Sequence, residues 1–131
     1  MGYFEPRQET PFVTIKGTLA GATVNAGDAV ASDASGTWAR ADGTDTLMIG
    51  VAASDGVVGD TISIYVEGIF RTTNGAAGAV VVGDVLALED HTTVDDQGVG
   101  DRSVIVVGPL ASNAAAGTVD VAFTINSPLT A

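Results

Sequence analysis

The Gly-Asp pairs at 27–28, 59–60 and 83–84 each stand directly before a run of β-prone residues. Glycine supplies the positive φ that a tight turn needs, and the aspartate side chain bonds nearby backbone amides, so each pair starts a strand with the same device. Longer stretches repeat as well. "GVAASDGVVGDTISIYVEG" (50–68) returns as "GPLASNAAAGTVDVAFTIN" (108–126) at an offset of 58, with Gly50 on Gly108, Ala53-Ser54-Asp55 on Ala111-Ser112-Asn113 and Gly59 on Gly117. "NAGDAVASD" (25–33) is echoed by "VVGDVLALED" (81–90) at an offset of 56. The loops match better than the strand after them. Ile62, Ile64 and Val66 fall on Asp120, Ala122 and Thr124, one position out of phase with Val119, Val121 and Phe123, and such a slip exchanges the faces of a strand. Either a β unit of about 40–45 residues is duplicated, or one turn chemistry arises twice in a chain rich in Gly, Ala, Val and Asp.

The expected fold is all-β: a small β-barrel or β-sandwich, possibly an internally duplicated β unit, with an extended N-terminal arm. Strands are expected at Ala29–Ser32, Thr37–Arg40 and Thr61–Glu67, with a bulge or corner at Gly68. No window sustains apolar residues at helical spacing outside Ala/Gly-rich stretches. At 131 residues the chain is one domain by size. The boundary falls at 1–11, an arm, and 12–131, a single β domain. In the arm Pro6 and Pro11 favour extended backbone, Glu5 and Arg7 carry charge, and Tyr3 and Phe4 read as exposed. Removing it should leave the β domain folded.

Sixteen acidic residues, twelve of them Asp, face five basic ones, giving a net charge of −11. Such a surface repels phosphates, which excludes nucleic acid as a partner. It fits an ordinary soluble surface or adaptation to high salt. There is no cysteine, hence neither disulfide nor thiolate chemistry. No apolar run is long enough for a membrane span. His91, the sole histidine, stands among Glu89, Asp90, Asp95, Asp96 and Asp101, but the spacing fits no calcium loop and reads as a solvated acidic turn. No nucleophile–base pair is recognisable, so no catalytic, cofactor-binding or metal residue is assigned and no enzyme is expected. Trp38 is either a packing residue or an interface anchor. Tyr65 alternates with Ile64 and Val66 and shares a polar face with Ser63 and Glu67, which makes it a second candidate for a subunit interface.

The order "LAGATVNAGDAV" (19–30), "IGVAASDGVVGDTISIYVEGIF" (49–70), "VVGDVLALED" (81–90) and "GPLASNAAAGTVDVAF" (108–123) resembles the capsid cement or decoration proteins of tailed viruses, over about residues 17–125. The resemblance implies a structural virion protein on the outer surface of an icosahedral head. It would act as an oligomer, expected to be a homotrimer, that bridges major capsid protein subunits. The arm residues Tyr3, Phe4, Glu5, Pro6, Arg7 and Pro11 would then reach the shell, and the charge would suit a virus of a salt-loving host. A tail-tube or fibre protein and a carbohydrate- or small-ligand-binding β module remain as alternatives.

Overall fold

The computed structural model describes residues 3–7, 12–21, 23–42, 47–96 and 103–124, and among these there is no helix. The first six strands are β1 (Glu5–Pro6), β2 (Val13–Thr18), β3 (Ala29–Ser32), β4 (Trp38–Arg40), β5 (Ile49–Ala52) and β6 (Thr61–Asn74). The rest are β7 (Val80–Val81), β8 (Val85–Leu88), β9 (Thr93–Asp96), β10 (Ser103–Gly108), β11 (Ser112–Asn113) and β12 (Thr118–Phe123). The all-β expectation holds.

The Gly-Asp pairs build one turn three times. In Asn25–Asp28, Val57–Asp60 and Val81–Asp84 the aspartate N–H donates to the first residue's carbonyl at 3.0 Å. Its Oδ2 accepts that residue's N–H at 2.9 Å. The glycines take φ of 91°, 93° and 100°. A fourth copy spans Ala114–Gly117, where Gly117 N–H donates to Ala114 O at 3.0 Å and the left-handed residue is Ala116, φ 62°. The counterpart of Gly59 is therefore Ala116, not Gly117, and the offset there is 57. With that correction Ile62, Ile64 and Val66 fall on Val119, Val121 and Phe123, all buried. The apparent phase slip arises because Gly117 stands one residue after the left-handed position that Ala116 holds. The loop from Val106 to Asn113 is longer than its twin from Ala52 to Gly56, which moves the offset from 54 in β5/β10 to 57 beyond.

Strand pairing repeats with the same logic. In the second half β6, β12, β10, β8 and β9 close a five-stranded barrel, completed by the parallel pair Asn74–Val94 between β6 and β9. In the first half β2, β6, β5, β3 and β4 follow the same circuit, closed by a parallel bridge between Leu19 and Trp38. The register agrees pair for pair: Val30–Gly50 corresponds to Leu86–Val104, and Ile15–Ile64 to Phe70–Val121. The chain is thus two copies of one barrel in tandem. β6 serves both, as the last strand of the first barrel through Glu67 and the first strand of the second from Gly68.

Leu19, Val24, Val30, Trp38, Ile62 and Ile64 fill the first barrel. Their counterparts Val80, Leu86, Val94, Val119 and Val121 fill the second. Leu19 alone is answered by a polar residue, Asn74, itself only 1% exposed. At Gly68 the strand turns the expected corner with φ 145°, and a β-carbon there would overlap the Phe12 ring. The corner lets β6 leave one barrel and enter the next with no linker.

Candidate functional site

All four phenylalanines and Tyr65 meet where the barrels join. Ring centroids lie 5.7 Å apart for Phe4–Phe123, 5.4 Å for Phe70–Phe123, 5.5 Å for Phe12–Phe70 and 5.6 Å for Tyr65–Phe70. Edge-on and tilted contacts of this kind stabilise beyond the area they bury. Against them pack Ala29, Ile49 and Val51, side chains that point outward from the first barrel.

The N-terminal segment is part of this junction. Phe4 is fully buried, so its reading as an exposed aromatic is corrected: it inserts between the barrels, and its N–H donates to Gly27 O at 2.8 Å. Glu5 and Pro6 pair antiparallel with Arg71 and Phe70 of β6, and Arg7 N–H donates to Ile69 O at 3.0 Å. Tyr3 is 55% exposed, its ring edge-on to His91 with centroids 5.8 Å apart. Beside β1 runs a groove of about 240 Å³ lined by Phe4, Glu5, Pro6, Ala26, Ala52 and Tyr65. Residues 3–7 are thus a strand docked on the chain's own barrels. Losing them would strip a core phenylalanine, at a cost of about 3–5 kcal/mol for its side chain, so their removal bears on folding as well as on any contact they make. Pro11 lies outside the described residues.

Trp38 is 4% exposed and sits inside the first barrel, so it packs within the chain and presents no anchor on its surface. The reason is its pairing with Ser32 and its bridge to Leu19, which turn the indole inward. Tyr65 is half-buried against Phe12 and Phe70, not on a polar face, because the corner at Gly68 folds the second half of β6 across it. Among the described residues Tyr3 is the only aromatic more than a third exposed, which leaves no aromatic platform for a sugar ring.

The acidic turn around His91 bonds to itself. Asp90 accepts from the Thr92 N–H at 2.7 Å and the Thr92 hydroxyl at 2.6 Å, and Glu89 accepts the Thr93 hydroxyl. Burial would raise the Asp90 pKa, but the Thr92 bonds and the nearby His91 outweigh it and hold the carboxyl below the ordinary value. No group of acidic, His or Cys side chains among the described residues could hold a metal ion. Two ion pairs stitch strands together: Arg40–Asp28 at 3.0 Å, and Arg71–Asp120, bidentate at 2.8 and 3.1 Å.

One surface escaped the sequence reading. Val81, Val82, Val85, Ile105, Val107 and Leu110, all 38–65% exposed, gather on β8, β10 and the adjoining turns of the second barrel. The sign was there in "SVIVVG" (103–108), whose central residues are apolar on both faces where a half-buried strand should alternate. A search of curated proteins returns no match. The family model for phage cement proteins aligns with residues 8–125, nearly the whole β region described above, and the chain therefore belongs to the phage cement protein family.

Proposed function

We propose that this chain binds the outside of an icosahedral head of a tailed virus as an oligomer, a trimer in the simplest arrangement, and braces contacts between major capsid subunits. The observation that carries the reading is the match to phage cement proteins over residues 8–125. A double barrel whose Asp28, Asp33, Asp60, Asp84 and Asp90 carboxylates are spent on turns, with the four phenylalanine rings gathered at the junction, supports a structural role over an enzymatic one. The net charge of −11 supports a protein partner over nucleic acid.

The N-terminal segment serves the capsid contact as a fixed strand. Phe4 anchors it, and Tyr3, Glu5 and Pro6 line or flank the groove that a capsid loop would enter. Because Phe4 belongs to the core, truncation confuses folding with binding, and the sound test is Tyr3→Ala. Purified wild-type and Tyr3→Ala chains are added to undecorated capsids, and bound copies are counted by cryo-EM. Wild-type density on the outer shell with reduced occupancy for Tyr3→Ala is expected. Absence of wild-type density on heads, or its appearance on tails, would overturn the reading.

A further inference from the structure

The duplication permits a comparison that the surface alone does not. Ala29 and Val51, paired on the outer face of the first barrel, are both 0% exposed because the barrel junction covers them. Their counterparts on the second barrel, Val85 and Ile105, are paired in the same register and are 38% and 40% exposed. The uncovered face is also the more apolar one. Val81, Val82 and Val107 stand where the first barrel has Asn25, Ala26 and Ala53. Within 81–88 and 103–113 the only charged residue is Asp84, whose carboxylate is tied back to the Val81 N–H.

Exposed apolar area of this extent marks an interaction site. Two features identify the occupant. The twin face is closed within this same chain by the junction rings Phe4, Phe70 and Phe123, themselves buried there, so a face of this build is one that the fold packs barrel against barrel. Copies each carrying −11 repel one another over most approaches, and this face, whose single charge within 81–88 and 103–113 is Asp84, is where they meet with the least penalty. We infer that the Val85–Ile105 face packs against a second copy of this chain, head to tail, continuing between molecules the succession of barrel on barrel within one. A head-to-tail contact joins two different surfaces, and it closes into a ring when the rotation allows. The inference rests on the oligomeric part of the functional reading and names the surface behind it.

The test measures the mass of the full chain in solution by light scattering after gel filtration, at low salt and at about 1 M. Each sample is also assayed on undecorated capsids. The wild type is expected as a multimer. Val85→Asp/Ile105→Asp should fall to the single-chain mass with its β circular dichroism intact, and Val57→Asp/Val58→Asp, at still more exposed valines of a turn in the first barrel, should keep the wild-type mass. If the aspartate pair fails to fold, Val85→Thr/Ile105→Thr takes its place, with self-association weakened about tenfold or more. A wild type of single-chain mass at both salts overturns the inference, as does a folded face variant of undiminished mass. A variant that stays multimeric but no longer binds capsids makes the face a capsid contact, refuting self-association while the cement reading stands. Wild type that assembles but never binds heads does the reverse.

Discussion

Gly59 and Ala116 hold the same place in two copies of one turn, with φ of 93° and 62°. Only the first is a residue that adopts such a backbone without cost. For alanine the left-handed region costs about 1–2 kcal/mol, partly offset by the freedom glycine has in the unfolded chain. Ala116→Gly should therefore raise stability by about 0.5–1 kcal/mol in urea unfolding. Gly59→Ala should lower it similarly, and by backbone strain alone, because a β-carbon at 59 meets nothing within 4 Å.

Asn74 is expected to resist replacement by its own counterpart. Its Nδ2 lies 3.2 Å from Gly78 O and from Ala114 O, and its Oδ1 accepts the Ala76 N–H at 2.9 Å. Leucine, which serves well at position 19, would leave the buried Ala76 N–H unpaired and take a donor from Gly78 O and Ala114 O, at about 1–3 kcal/mol for a buried group left unpaired. Asn74→Leu should lose about 3 kcal/mol in total. A loss under 1 kcal/mol in chemical denaturation would show that the network is dispensable.

Gly68→Ala should be among the most damaging single-methyl changes in the chain. It combines a φ of 145° with overlap on the Phe12 ring, which is itself held by Tyr65 and Phe70. We expect a loss of about 2–4 kcal/mol. Phe12→Ala/Gly68→Ala should lose less than the sum of its parts, since the first change removes the obstacle met by the second.

Acid sensitivity has a local reporter. The Thr37 hydroxyl donates to Asp33 Oδ2 at 2.6 Å, and the Thr37 and Ser35 N–H groups donate to Oδ1. The Thr37 hydroxyl contributes most to holding Asp33 below the ordinary value of 3.8. A depressed carboxylate stabilises the fold above 3.8, and that contribution is lost as pH falls through the folded value. Carboxyl NMR titration should place Asp33 under 3.8 in the wild type and nearer to it in Thr37→Ala. Identical titrations in the two proteins would remove the hydroxyl as the cause.

Salt should act in the opposite sense to acid. With −11 on one chain, screening by about 1 M salt shortens the reach of each charge to near 3 Å, and the melting temperature should rise. Melting curves that do not move between low and high salt would return the acidic excess to plain solubility.

Where one residue settles a local geometry, the sequence was readable. Ala29–Ser32, the strand ending at Arg40, the start of β6 and the Gly68 corner were all expected from turn chemistry and alternation. Where the outcome depends on what lies across the fold, it was not. Phe4 looks like any residue of a polar terminus until the gap between two barrels needs a ring. Trp38 could face either way until the bridge to Leu19 fixes it. The duplication was visible, but its register was hidden by an alanine doing a glycine's work at 116.

The shared strand has a mechanical consequence. Most tandem domains are strung on flexible tethers, which stretch before either domain bears a load. Here force applied to one barrel enters the other through the unbroken backbone of Thr61–Asn74, flanked by ladder bonds to β2 on one side of Gly68 and to β12 on the other. Pulled along its length, β6 loads the two ladders in shear one after the other through a single backbone. A molecule built this way behaves as a stiff strut between its two ends, with no slack to take up.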